Sequence, residues 1–442
     1  MQASVQDRYS RHVAERQRLA ERALDESGFD RLLIHSGLVH EYFADDQEAP
    51  FHPTGHFAHW APVEGPSHLL EVRPGKRARL LRVTPPDFWY EPPAPAPGYV
   101  QAALDVVDLP DTESAWKEAG SASRTAFVGA AASEATAHGL AGAAVNPKGL
   151  VARLDWDRAT KTPYEVETVS AANRIAAAGF RAAESAFAAG ASELEIHHAW
   201  IAAAGTTEAE LPYGTIVAQD EKSAVLHYQR KRGRQARPAT VLLVDAGAPL
   251  RGYGSDITRT YARAGADPVF VALLEGMERL QQALCAEVRP GRPYLDLHVE
   301  AHRGVARLLS GAKVVKVSAD EAFARGLTRP FFPHGLGHFL GIQVHDVGGR
   351  LADREGTVKM PPAEYPYLRT TRTIEEGMLF TIEPGLYFIP MLLEPFRTGP
   401  DAGAFDWPLV DRLLASGGIR VEDDVVVTGG GHINLTRPHL PK

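Results

Sequence analysis

TVLLVDAGAPLRGYGSDITRTYAR, residues 240–263, holds two strand-like apolar runs on either side of Pro249-Leu250-Arg251-Gly252. A Pro/Gly-bearing group of that kind suits a four-residue hairpin loop. With that loop Ala248 pairs with Tyr253 and, counting back along both strands, Asp245 stands opposite Asp256. Their Cβ atoms would then lie roughly 5 Å apart on one face. Like charges opposed in this way destabilise a sheet unless they share a proton or bind cations between them. A slip of one residue would instead turn one Asp to solvent. The hairpin gains chemical meaning only if further ligands lie elsewhere in the chain.

They do. MLFTIEPGLYF (378–388) carries Glu383 among apolar neighbours, and GGIRVEDDVVVT (417–428) places Arg420, Glu422 and Asp424 on one face at period two. Carboxylates inside apolar β runs are costly unless paired or bound to a metal. An edge-strand position, or an Arg420–Glu422 ion pair, is the competing reading. FFPHGLGHFLGIQVHD (331–346) adds His334, His338 and His345. Two Asp, two Glu and a choice of His make an oxygen-rich set without thiolate, which favours Mn²⁺ or a similar divalent ion over a structural zinc. Four carboxylates are too many for one catalytic ion but suit two ions sharing bridging carboxylates. Such a pair lowers the pKa of a bound water to give a hydroxide and stabilises charge developing on a carbonyl oxygen, so the implied reaction is amide hydrolysis.

The rest of the chain frames this cluster. Its 442 residues exceed one ordinary domain, and two are expected. A content of 44% hydrophobic and 23% charged residues is that of a soluble globular protein. The net charge of −8 argues against nucleic acid or an anionic membrane as partner. The one basic run, QRKRGRQARP (229–238), falls between two expected strands and reads as a solvated loop. Cys285 is the only cysteine, which excludes an internal disulfide and a Cys-based zinc cluster. The first thirty residues show no apolar signal core, and no run nears the roughly 18 apolar residues of a membrane span. A cytoplasmic protein is therefore expected.

Residues 5–27 predict an amphipathic helix and FDRLLIHS (29–36) a strand. Residues 47–97 are dense in Pro, His and aromatics, and Pro92, Pro93, Pro95 and Pro97 punctuate loops there. TAFVGA (125–130) predicts another strand, giving an alternating α/β first domain. From 161 to 190 a long helix opens with Pro163 and Glu165, and a second covers 192–204. The boundary is expected near 157–161, giving a first domain of 1–157 and a second of 158–442. Beyond it strands and helices come in mixed order, so the class is α+β.

VDAG…SDITR, PHGLGH…VHD, TIEPG and GIRVEDD, in that order, resemble the metallopeptidases of the pita-bread fold, which include methionine aminopeptidase, aminopeptidase P and prolidase. The resemblance covers most of 158–442. The residues before it fit the extra N-terminal domain of aminopeptidase P and prolidase. By this resemblance Asp245 would bind one ion, Asp256 and Glu422 would bridge two, and His338 and Glu383 would hold the second. The family's metal histidine lies seven positions before the His of VHD, which selects His338 and leaves His345 to substrate or to the tetrahedral intermediate. His334 would line the pocket beyond the scissile bond, Glu383 would shuttle the proton, and Arg420 would orient the carboxylates. His227 in SAVLHY matches a substrate-contacting His, with an ordinary turn histidine as the other reading. Tyr213 in LPYGTIV resembles a pocket residue.

The insertion LADREGTVKMPPAEYPYLRTTRT (351–373) resembles bacterial prolidases and organophosphorus acid anhydrolases. A dipeptidase must hold a free C-terminal carboxylate, a task suited to a planar Arg fork. Arg369 is the first candidate and Arg372 the second, against a loop whose arginines are merely solvated. The resemblance thus implies an Xaa-Pro dipeptidase using two Mn²⁺, with Co²⁺ or Zn²⁺ as alternatives, and side activity toward organophosphate triesters. It also implies a homodimer in which an N-terminal loop reaches the partner's site, with Asp45, Asp46 and Trp89 in the relevant segments. Aminopeptidase P and a catalytically inactive pita-bread binding protein are the competing functions. Creatinase, metal-free on the same fold, is a reminder that fold does not fix function.

Overall fold

The computed structural model describes residues 4–91, 93–234 and 238–441, so Pro92 and residues 235–237 of the basic run lie outside the described residues. Two compact units divide the chain. One comprises Met1–Arg158, Thr162–Glu165 and Asp353–Val358; the other comprises Ala159–Lys161, Val166–Ala352 and Lys359–Lys442.

In the first unit the helix Val5–Ser27 starts from a capping box in which Ser4 and Asp7 bond each other's backbone N–H. It stops at Gly28, which takes the left-handed conformation at φ 75°. Five strands follow: β1 (Arg31–His35), β2 (Leu69–Val72), β3 (Arg79–Val83), β4 (Asp105–Leu109) and β5 (Thr125–Val128). They form one sheet in the order β4-β3-β2-β1-β5, with β1–β5 and β3–β4 parallel. β2 and β3 run inside the Pro- and His-rich stretch, where charged residues hide them from a periodicity reading. Glu71 in β2 is only 1% exposed, and Arg31 (3.1 Å), Arg73 (2.7 Å) and Arg79 (3.2 Å) neutralise it.

The second unit is α+β. Its strands are β6 (Ile216–Gln219), β7 (Val241–Ala246), β8 (Pro249–Leu250), β9 (Tyr253–Gly254), β10 (Ile257–Ala262), β11 (Leu379–Ile382), β12 (Gly385–Tyr387), β13 (Gly418–Arg420), β14 (Asp423–Thr428) and β15 (Gly431–Asn434). They make sheets β10-β7-β6 and β11-β14-β15 and the pairs β12-β13 and β8-β9. The helices Pro163–Ala188 and Glu193–Ala204 begin at the expected Pro163 and at a Ser192–Glu195 capping box. Pro268–Ala286 and Tyr294–Gly311 pack on each other, and the first also meets β11 and β15. No helix among the described residues is long and apolar enough to cross a membrane.

The hairpin differs from its predicted register. Pro249 and Leu250 pair with Gly254 and Tyr253, so the loop is the two-residue turn Arg251-Gly252. Both turn residues have positive φ, 52° and 83°, as the tight hairpin turn requires. Asp245 is therefore opposite Thr258, not Asp256. The shift is two residues, which preserves the face because side chains alternate with period two. Asp256 stays on the Asp245 face as a diagonal neighbour.

Burial has a measurable consequence on Tyr294–Gly311. His302 is 2% exposed and burial pushes it down to about 2, with His298, Arg329 and His334 acting in the same direction. The unfolded chain takes up a proton below about pH 6.5 that folded His302 refuses, so this residue's contribution to stability falls as pH falls through 6.5. Relative to the parent, His302→Gln is expected to gain about 1.4 kcal/mol between about pH 7.5 and about pH 5.5. Urea unfolding at the two pH values measures the difference, and a constant offset would contradict a neutral buried imidazole.

Candidate active site

The carboxylates predicted as ligands sit where strands break. β7 delivers Asp245 at its next-to-last position and Asp256 immediately precedes β10. Glu383 occupies the gap between β11 and β12, and Glu422 the gap between β13 and β14. An isolated bridge between Thr258 and Glu422 ties the two regions together, and a second between Phe339 and Phe380 brings in the histidine segment. Donor atoms of Asp256, His338 and Glu422 all lie within 4.8 Å of one another. His338 Nε2 is 3.3 Å from Asp256 and 3.7 Å from Glu383. Its Nδ1 is 3.0 Å from the Phe339 carbonyl, which holds the proton on Nδ1 and leaves Nε2 as the ligating atom. Asp245 is turned toward Arg420, 2.5 Å away, and its other oxygen is buried without a hydrogen-bond partner.

Crowding sets the charge state. Burial pushes Glu383 up to about 7; His338 and Arg420 oppose the rise, and Asp256 and Asp245 add to it. Burial, Asp256, Glu383 and Asp245 hold Glu422 well above the usual carboxylate range. Burial works against a His338 cation, yet its bond to Asp256 and the nearby carboxylates carry it up to about 9. An orphaned Asp245 oxygen, four carboxylates and one correctly oriented imidazole fit divalent cations.

A second group, His12, His59 and Glu165 of the first unit, also has three donors close together. It is a different kind of cluster. Both His12 nitrogens are engaged, with Thr162 Oγ1 at 2.9 Å and the His59 carbonyl at 2.7 Å, while Glu165 accepts the Thr162 N–H. It is a hydrogen-bonded polar core.

The three histidines of 331–346 divide. His334 lies 2.8 Å from the Tyr387 hydroxyl through Nε2 and 2.8 Å from the Gly335 carbonyl through Nδ1. His345 reaches solvent at its edge, stands edge-on to His338 with ring centres 4.4 Å apart, and is lowered to about 4 by partial desolvation, His338 and Arg369. Gly337 cannot be replaced by a larger residue, because a Cβ there would fall 2.1 Å from the Thr381 carbonyl oxygen. His227 lies exposed in a turn, near enough to His334 and His345 to interact with both. Tyr213 donates its hydroxyl to Asp256 at 2.5 Å.

The sequence model of metallopeptidase family M24 matches residues 167–429, and that of the Xaa-Pro dipeptidase N-terminal domain matches residues 7–156. The chain belongs to metallopeptidase family M24. It is 46% identical over 430 residues to an Xaa-Pro dipeptidase of Marinobacter nauticus, covering 96% of each chain. It is 42% identical over 433 residues to one from Stenotrophomonas maltophilia, covering 97% of this chain and 96% of the other. Among solved structures, Escherichia coli aminopeptidase P with the inhibitor Pro-Leu aligns at TM-score 0.72 and 22% identity, over 99% of this chain and 96% of that one. The catalytic unit therefore has the pita-bread fold of this metal-dependent family.

Within this M24 chain two competing readings of the sequence, the Arg420–Glu422 pair and Arg372 as the carboxylate receptor, lose ground. Arg420 does not pair with Glu422. It binds Asp245, Thr258 Oγ1 (3.1 Å) and the Tyr387 hydroxyl (2.9 Å). Arg372, the second carboxylate candidate, is 4% exposed and pairs with Glu375 at 3.1 Å, whereas Arg369 is exposed and close enough to His345 to act on its charge. Asp45, Asp46 and Trp89 are exposed residues of the first unit. Sequence reasoning missed Thr258, which donates to Glu422 at 2.6 Å, and Tyr387, which links Arg420 to His334. Tyr387 follows Glu383 at two strand periods, a signal that was there to use.

Proposed function

We propose that this M24 protein is an Xaa-Pro dipeptidase, hydrolysing the imide bond of dipeptides that end in proline. The observation that carries the reading is the convergence of Asp245, Asp256, His338, Glu383 and Glu422 in a chain similar over nearly its whole length to proteins of that name. These five residues would hold two divalent cations, for which Mn²⁺ suits the oxygen-rich set best. Bound there, the cations would acidify water and polarise the scissile carbonyl.

The remaining work falls to the chain itself. Glu383, 3.7 Å from His338 Nε2 within the cluster, is placed to take a proton from the attacking water and deliver it to the proline nitrogen. His345, neutral and edge-on to His338, would donate to the developing oxyanion, and His227 would assist from the exposed side. His334, fixed by Tyr387, would line the proline pocket, and Tyr213 would restrain Asp256. Arg420 would keep Asp245 ionised and oriented. Arg369 would receive the substrate's C-terminal carboxylate through its planar fork. In this reading the protein is a cytoplasmic homodimer, and the domain over 1–157 supplies the dimer contacts and an active-site rim that includes Asp45, Asp46 and Trp89.

Aminopeptidase P activity is the alternative within the family; its solved members share the fold with this chain at 22% identity. Assay of an Xaa-Pro dipeptide beside an Xaa-Pro-Yaa tripeptide, before and after chelation and Mn²⁺ addition, separates the readings. The dipeptide is expected to be preferred, with activity lost on chelation and restored by Mn²⁺. Preference for the tripeptide would favour aminopeptidase P, and inactivity after Mn²⁺ addition would favour a binding protein.

A further inference from the structure

Lys161 and Asp346, both of the second unit, form an ion pair at 2.7 Å whose side chains are each 1% exposed. Taking two charges out of water can cost more than their attraction returns, so stability alone does not account for the pair. The chain makes room for it. A Cβ on Gly341 would fall against Asp346 Oδ2 and 2.7 Å from Lys161 Nζ, so only glycine there leaves the two charged groups their space.

The pair closes a loop that carries two histidines. On the outward side the loop lies along β11, where Thr381 donates its N–H to the His338 carbonyl at 3.0 Å and Leu340 donates to the Leu379 carbonyl at 3.1 Å. The chain then turns back, and the Asp346 N–H donates to the Phe339 carbonyl at 2.8 Å. That carbonyl is the one that His338 Nδ1 meets at 3.0 Å, so one acceptor ties the Asp346 backbone to the His338 ring. Lys161 is itself anchored: its N–H donates to the Gly377 carbonyl at 2.8 Å, and Thr160 bridges Met378 just ahead of β11. His345 has less to hold it. Its ring reaches solvent and meets His338 edge-on at 4.4 Å, and no hydrogen bond to that ring occurs among the described residues. Where the ring stands therefore follows from where the next residue, Asp346, is held.

We propose that Lys161 and Asp346 are positioning residues for the hydrolytic reaction, their buried ion pair fixing the backbone that presents His345 beside His338. The inference deepens the function proposed above and rests on the role given there to His345. Neither residue of the pair touches substrate; both act through the His345 ring. A misplacement of about 1 Å can cost about 10²-fold in rate, which gives a remote ion pair a measurable effect on the reaction.

Lys161→Met combined with Asp346→Asn tests the assignment. Removing both charges buries neither without the other, and asparagine can still accept the Val347 N–H that Asp346 Oδ1 accepts at 3.0 Å. Kinetics are run on the Mn²⁺-treated full chain with whichever of the Xaa-Pro dipeptide and the Xaa-Pro-Yaa tripeptide the parent cleaves better, so the choice between those substrates does not decide the result. In the double variant kcat should fall about 10- to 100-fold, with KM within about threefold of the parent and metal content unchanged. His345→Ala should lose a similar factor, and adding it to the double variant should cost little more, because both changes remove one contribution. A crystal structure of the metal-free double variant should show the His345 ring displaced from its edge-on place against His338. Parent-like kcat in the double variant or in His345→Ala, losses that multiply when the changes are combined, or an undisplaced ring would each overturn the proposal. A parent that cleaves neither peptide would remove the proposed function instead, and the ring position alone would then decide what the ion pair holds.

Discussion

Asp256→Asn is expected to lose dipeptidase activity by about 10³-fold or more and to retain fewer than two equivalents of metal. The carboxylate it removes is doubly committed. One oxygen accepts the Tyr213 hydroxyl at 2.5 Å and the other faces His338 Nε2 at 3.3 Å. Asparagine keeps the shape but presents an NH₂ to one of these sides, and an NH₂ cannot bind a cation. Loss of a group that merely orients a metal ligand costs about 10- to 100-fold, so loss of a bridging ligand should cost more. The fold should tolerate the change, because the raised protonation of Glu422 owes part of its cause to the Asp256 charge. Metal analysis and steady-state kinetics on the Mn²⁺-treated variant read both effects. Parent-like activity with two equivalents bound would remove Asp256 from the reaction.

How far this site was legible depended on which part of the physics was local. The pairing of Asp245 with Thr258 was missed because Pro249 and Leu250 look like loop residues, and only the positive φ of Arg251 allows a tighter turn. Yet an error of two registers leaves both aspartates on one face, which is the feature the ligand reading needs. Glu383 and Glu422 were legible as carboxylates out of place among apolar residues. Their position in strand breaks was not, although Pro384 after Glu383 hinted at one break. Partners far apart in sequence left no local trace at all. Arg420 reaches Asp245 across 175 positions and Thr258 reaches Glu422 across 164. The same holds in the first unit, where Glu71 in β2 reads as a surface residue until the three arginines around it are seen.

Glu383→Gln separates proton transfer from the other functions of the cluster. The side chain is suited to carrying a proton because its carboxylate stands within the cluster, 3.7 Å from His338 Nε2, where the attacking water would be activated. Glutamine preserves size and one oxygen but cannot take up or release a proton. A positioned general base or acid contributes about 10²- to 10⁴-fold, so kcat should fall by that amount. Substrate should still be held, since His334 remains fixed by Tyr387 at 2.8 Å and the exposed Arg369 fork is untouched. KM for an Xaa-Pro dipeptide is therefore expected to stay within about tenfold of the parent, as it does when an interaction used only in the transition state is removed. Asp245, Asp256 and Glu422 remain in the variant, so at least one equivalent of metal should persist in it. A fall in kcat with persisting metal and little change in KM assigns the proton to Glu383. If kcat instead stays within about tenfold of the parent, the proton is carried by another group. The neutral, exposed His345 beside His338 would then be the first to examine.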